Sequence, residues 1–148
     1  TAEAAIFGSG RPTLLVPEEM PVATFGHVMI GWDGSSVAAR AVADARDFLR
    51  RAQIITIASV TDEKPLPEEA RGSRLADYLT RHEIRTTVLR VQSQGRPIAQ
   101  ALQEHAREVG ADMLVMGAFG HSRMRDFVLG GATSGILRQL QLPVLLSR

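Results

Sequence analysis

Five short apolar runs, separated by stretches of helical spacing, constrain this chain more than any other feature. They are "HVMIGW" (27–32), "QIITIASV" (53–60), "TTVLRV" (86–91), "DMLVMG" (112–117) and "PVLLSR" (143–148). The first four run into turn residues such as Asp33-Gly34-Ser35-Ser36, Thr61-Asp62 and Gln92-Ser93-Gln94-Gly95. Apolar runs of this length between helices read as parallel strands buried on both faces. Helical spacing fills the gaps: 35–51 carries Val37/Ala38, Ala41/Val42, Ala45 and Phe48/Leu49 on one face, and Ser35 or Ser36 can cap its start. Residues 68–82 carry Leu75 and Leu79. Residues 97–109 open with Pro97 in the first helical position and stop at Gly110, and 131–140 end before Pro143. The order β-α-β-α-β-α-β-α-β predicts an α/β layer fold with a mostly parallel sheet and right-handed crossovers. In such sheets ligands sit beyond the carboxyl ends of the strands, where the strand order reverses. The tips of the first and fourth strands, Asp33-Gly34 and Gly117 to Gly120, are therefore the places for a site.

The fourth strand opens into "MGAFGHSRMRDFVLGGATSGIL" (116–137), with Gly117, Gly120, Gly130 and Gly131 in fifteen residues. Glycine is costly to order, so this density marks a backbone with a special task. An anion site needs bare backbone N–H groups and a helix N-terminus, and it gains from hydroxyls or arginine. Ser122, Arg123, Thr133 and Ser134 supply the latter. A Walker-type loop is excluded: Lys64 is the sole lysine among the 17 basic residues, and it lies far from these glycines.

At 148 residues the chain fits one domain with a real core, and 45% hydrophobic against 22% charged residues is ordinary for a globular fold. A net charge of +1 points away from nucleic acid and anionic membranes. The absence of cysteine excludes disulfides and thiol catalysis and suits a cytoplasmic protein. No apolar run has the length of a membrane span, and no signal-peptide pattern opens the chain.

Residues 1–24 stand outside the alternating pattern. "RPTLLVP" (11–17) lies over "LPVLLSR" (142–148), which reads as the last strand of a preceding repeat plus a linker; an ordinary N-terminal arm is the alternative. Either way Thr13–Val16 is expected to pair antiparallel with the edge strand Val144–Ser147, within one chain or between two, because so apolar an edge invites association. The "GSG" at 8–10 has no preceding strand and no βαβ unit after it, so a dinucleotide fingerprint is rejected.

Gly-x-x-Gly, nine residues, then Gly (Gly117, Gly120, Gly130), with "VMIGWDGSS" opening the domain, Asp112 in "ADMLVMG" and the closing "LPVLLSR", closely resembles the universal stress protein family over residues 25–148. The resemblance implies a five-stranded parallel sheet in the order 3-2-1-4-5, Rossmann-like, with helices on both faces; here an extra N-terminal edge strand is added. It implies a dimer or tandem pseudo-dimer joined through edge strands, and binding of an adenine nucleotide, ATP with or without Mg2+. Carried over by position, Asp33 lies by the ribose and adenine, and the backbone of Ala58 to Val60 meets the base. Gly117, Gly120, His121, Ser122, Arg123, Gly130, Gly131 and Thr133 take the phosphates. Function then lies in stress response through nucleotide-dependent assembly rather than turnover, a slow ATPase at most, with neither nucleic acid nor membrane as partner. The ATP-binding pattern has Ser or Thr after its last glycine; Gly131 stands there instead, and the hydroxyl returns at Thr133. One lost hydroxyl donor is worth about 0.5–1.5 kcal/mol, a weakening rather than abolition.

Plainer readings stand beside these. Asp33-Gly34 can simply turn the chain and cap the first helix. His121 has no nucleophile in view and reads as a loop hydrogen-bonder, while His27, His82 and His105 are too scattered in sequence to suggest a metal site. Arg123 and Arg125 can merely solvate the loop. Trp32 reads as packing at the end of the sheet. The whole domain can also be a nucleotide-free dimerisation module of the same family.

Overall fold

The computed structural model describes residues 9–20, 24–62, 72–117 and 140–147. Its strands are β1 (Thr13–Leu15), β2 (His27–Gly31), β3 (Ile54–Val60), β4 (Arg85–Val91), β5 (Met113–Gly117) and β6 (Val144–Ser147). Its helices are α1 (Ser36–Asp44), α2 (Arg46–Arg51), α3 (Ser73–Thr80) and α4 (Ile98–Glu108). One six-stranded sheet runs in the order β1-β6-β5-β2-β3-β4. β2 to β6 pair in parallel, and counted from β2 they have the expected 3-2-1-4-5 order. The sixth strand makes the sheet mixed: β1 pairs antiparallel with β6, Thr13 opposite Leu146 and Leu15 opposite Val144.

Strand alternation distributes the core to two sides. Val28, Ile30, Ile55, Ile57, Met113 and Val115 pack with Ala41, Ala45, Leu49 and Leu79 of the first three helices. Met29, Ala58, Leu114, Met116, Val144 and Leu146 pack with Leu102 and Ala106 of α4. Reversing direction after β4 forces this change of side, because right-handed crossovers then put α4 opposite α1 and α3.

Three local expectations are corrected. Helix 35–51 bends at Ala45 (φ −84°, ψ 3°) into α1 and α2, although Ala45 N–H still donates to Ala41 O and Leu49 N–H to Ala45 O. Pro97 is the N-cap of α4 rather than its first residue, with extended backbone (φ −52°, ψ 139°) and a carbonyl that accepts from Ala101 N–H. β4 is not buried on both faces: Arg85, Thr87, Val88 and Arg90 are exposed, because β4 is the open edge of the sheet. The helix expected at 68–82 is described only from Gly72, a left-handed N-cap with φ 84°. The one expected at 131–140 lies outside the described residues except for Leu140.

The stop at Gly110 takes the form its residue type favours. With φ 79° it donates to Arg107 O, and Ala111 N–H reaches back to Ala106 O, a Schellman closure of α4. At the amino end of the sheet, the Asp112 carboxylate accepts from Gly26 N–H, His27 N–H and the Thr24 hydroxyl, fastening the start of β2 to the start of β5.

Candidate functional site at the carboxyl end of the sheet

β2 has β3 on one side and β5 on the other, and the chain leaves it in opposite senses, so the sheet's switch point lies at its carboxyl end. Ala58, Gly31 and Met116 stand in register across β3, β2 and β5. Val60 is two residues beyond that line, Asp33 two and Gly117 one. The four described members of the expected site, Asp33, Ala58, Val60 and Gly117, therefore lie at one end of three adjacent strands.

Each member has a local reason to be there. Asp33 Oδ1 accepts Ser35 N–H at 3.0 Å, and Ser35 Oγ accepts Ala38 N–H at 3.1 Å as the N-cap of α1. Gly34, at φ 75°, supplies the left-handed step between them. Asp33-Gly34 therefore makes the turn while Ser35, not this pair, caps the helix, and Asp33 stands half-buried at the crevice. Trp32 is tied by its backbone on both sides: its N–H donates to Ala58 O at 2.8 Å and its carbonyl accepts from Ser59 Oγ at 2.8 Å. The Ala58 side chain is buried among the α4-side core, and the half-buried Val60 packs on the same cluster.

Gly117 has a packing reason that its spacing did not reveal. A Cβ there would lie 2.9 Å from Ala38 N and 2.9 Å from Val37 C, so the first turn of α1 rests directly on the end of β5. Gly31 is closely covered on the other face, where a Cβ would meet the movable Leu102 Cδ1 at 2.9 Å and Met116 Cβ at 3.3 Å. Gly120, His121, Ser122, Arg123, Gly130, Gly131 and Thr133 lie outside the described residues.

Sequence reasoning missed Ser59, Gly31 and Asp62. The Asp62 carboxylate, just past β3, accepts from Ser93 N–H (2.8 Å), Ser93 Oγ (3.1 Å) and Gln94 N–H (2.8 Å). It holds the turn after β4, where Gln94 (φ 53°) and Gly95 (φ 79°) are both left-handed. The backbone donors of Ser93 and Gln94 hold its carboxyl below the usual carboxylate range. Only the position of Asp62 directly after a strand hinted at this, since its partners are about thirty residues away in the chain.

The model of the universal stress protein family matches residues 24–148. The chain belongs to this family. Universal stress protein Slr1230 of Synechocystis sp. (strain ATCC 27184 / PCC 6803 / Kazusa) is 41% identical to it over 49 residues, 33% of this chain and 17% of that protein. Among solved structures, a universal stress protein from Archaeoglobus fulgidus DSM 4304 superposes with a TM-score of 0.71 at 19% identity, over 99% of this chain. This chain spans about half of that one, 53%. A family member from Burkholderia pseudomallei matches with a TM-score of 0.59 at 24% identity, over 85% of this chain and 98% of its own. A universal stress protein in complex with cAMP matches with a TM-score of 0.53 at 24% identity, over 82% of this chain and 96% of its own. At these identities the structural likenesses speak for the fold.

Proposed function

We propose that the crevice at the carboxyl ends of β2, β3 and β5 binds an adenine nucleotide, ATP with or without Mg2+, and that binding alters the assembly of the protein in a stress response. The observation that carries this reading is the convergence of the Asp33 turn and Gly117 at the switch point of the sheet. Asp33 suits a ribose because a carboxylate accepts hydroxyl donors, and its turn is already ordered by Ser35. Gly117 leads into the glycine-rich segment 117–131, whose Gly120, His121, Ser122, Arg123, Gly130, Gly131 and Thr133 are the proposed phosphate ligands. The cAMP complex of a family neighbour supports adenine as the base. Nothing in the reading asks for turnover, and any ATPase activity is slow.

The experiment is calorimetric titration of the purified protein with ATP and Mg2+, and separately with cAMP, beside Gly120→Val and Asp33→Ala variants whose folding is checked by thermal melts. Micromolar binding that both variants lose supports the reading. A folded wild type that takes up neither nucleotide removes it.

A second reading, a nucleotide-free association module, draws on the outer strand. β1 covers the β6 edge, yet Leu14 and Val16 remain 39% and 50% exposed. On this reading the cover belongs to a preceding repeat and makes a tandem pseudo-dimer, or it forms the seam of a homodimer. The Archaeoglobus structure, about twice as long, matches nearly the whole chain including the arm, which favours the tandem form.

A further inference from the structure

The ladder between β2 and β3 ends on a side chain. Its register sets Gly31 opposite Ala58, so the next step sets Trp32 opposite Ser59. In a parallel ladder such a residue donates to the carbonyl just before its partner and accepts from the N–H just after it. The first bond of this rung is present, Trp32 N–H to Ala58 O at 2.8 Å. The second would be Val60 N–H to the Trp32 carbonyl. In its place the Ser59 hydroxyl donates to that carbonyl at 2.8 Å, from a residue only 2% exposed.

The displaced amide points at the crevice. Thr61 N–H donates to Val91 O and so turns toward β4; Val60, one residue earlier, turns its N–H the other way, toward Trp32 and the Asp33 turn. Among the described residues no acceptor takes it. Backbone donors need an outlet, and this one has two: the Trp32 carbonyl, or an acceptor on a ligand. Ser59 occupies the first. Satisfying the Trp32 carbonyl does not itself require a hydroxyl, because Val60 N–H is already in register for it. What the hydroxyl adds is the release of that amide.

We infer that Ser59 is a positioning residue for base recognition: by holding the Trp32 carbonyl it keeps Val60 N–H open as the donor to a ring nitrogen of the bound base. The inference rests on the nucleotide reading and adds to it the residue that prepares the base contact. Its ligand class is a planar heteroaromatic base with an unprotonated ring nitrogen, whose in-plane lone pair accepts one N–H. The same bond fixes the peptide that leads into Asp33, whose Oδ1 is held by Ser35 N–H. One buried hydroxyl therefore sets both the donor for the base and the start of the turn that carries the carboxylate for the ribose.

The test uses the whole chain, wild type and Ser59→Ala, each shown folded by its melt. Hydrogen exchange is read at single amides by NMR with and without ATP and Mg2+, and ATP affinity is read by calorimetry. In the wild type, ATP slows exchange at the Val60 amide by about tenfold. In Ser59→Ala that amide closes on the Trp32 carbonyl, so it is slowed by about tenfold before any ATP is added, and ATP adds little. Affinity for ATP falls by about tenfold, the worth of one hydrogen bond. A purely structural hydroxyl predicts the opposite sign, since its loss would loosen the strand end and speed the same amide. Folded wild type that binds no ATP overturns the nucleotide reading and this inference together. ATP binding that leaves the Val60 amide unprotected overturns this inference alone. So does a folded Ser59→Ala variant whose free Val60 amide is not slowed, or whose ATP affinity is unchanged.

Discussion

Gly117 illustrates how one residue type serves two demands. Its position after a strand suggested close approach to a phosphate, while the structure adds a contact that no Cβ can share with the backbone of Val37 and Ala38. Gly117→Ala is therefore expected to destabilise the fold by about 1–3 kcal/mol through overpacking, whether or not nucleotide is present. Urea unfolding with no ligand measures this, and an unchanged midpoint would show that α1 can move away at no cost. Ser35→Ala should cost about 1 kcal/mol by removing the cap of α1 and loosening the Asp33 turn, read in the same assay. The capping role was legible in "DGSS". The role of Ser59 was not, because the hydroxyl answers a carbonyl on a neighbouring strand.

The elements are fastened by polar side chains at both ends of the sheet, and two of these fastenings depend on pH. His27, at the start of β2, has its pKa lowered by burial, with Asp112 opposing, and its Nε2 lies 2.7 Å from Thr56 Oγ1 of β3. Because the unfolded chain protonates this ring first, stability falls as pH drops below about 6.5 and levels off beneath the folded value. His27→Gln should flatten that part of the profile in melts between pH 8 and 5. Asp62 acts lower on the scale. Its carboxyl is held down by the Ser93 and Gln94 amides, so its contribution is present above the ordinary carboxylate range and is lost as pH falls through the depressed value. Asp62→Asn should speed hydrogen exchange at the Ser93 and Gln94 amides at neutral pH; exchange at the wild-type rate would mean that the turn after β4 holds itself.

Across the whole molecule, the sheet has one covered edge and one open one. β1 closes the β6 side, and Leu15, 7% exposed, joins the core there. Removing residues 1–20 bares the backbone donors and acceptors of β6 beside the apolar Leu145 and Leu146, an invitation to pair with another chain. The shortened protein should self-associate with rising concentration in sedimentation velocity. A monomer at every concentration would show that the β1 cover is dispensable. The β4 edge remains open and carries Arg85 and Arg90, charges that discourage such pairing.

Period and punctuation determined the parallel sheet and the order of its described elements; the family resemblance added the strand order, and the match of 11–17 to 142–148 the pairing of Thr13–Leu15 with β6. These follow from local rules: apolar runs set strands, Gly110 stops a helix, and crossovers have one hand. Only the tertiary structure decided which side of the sheet each described helix covers, why Gly117 must lack a side chain, and that β4 is exposed. It alone also joined Asp62 to a turn far along the chain. Those features depend on residues distant in sequence meeting at fixed distances, and such meetings arise only when the layers pack.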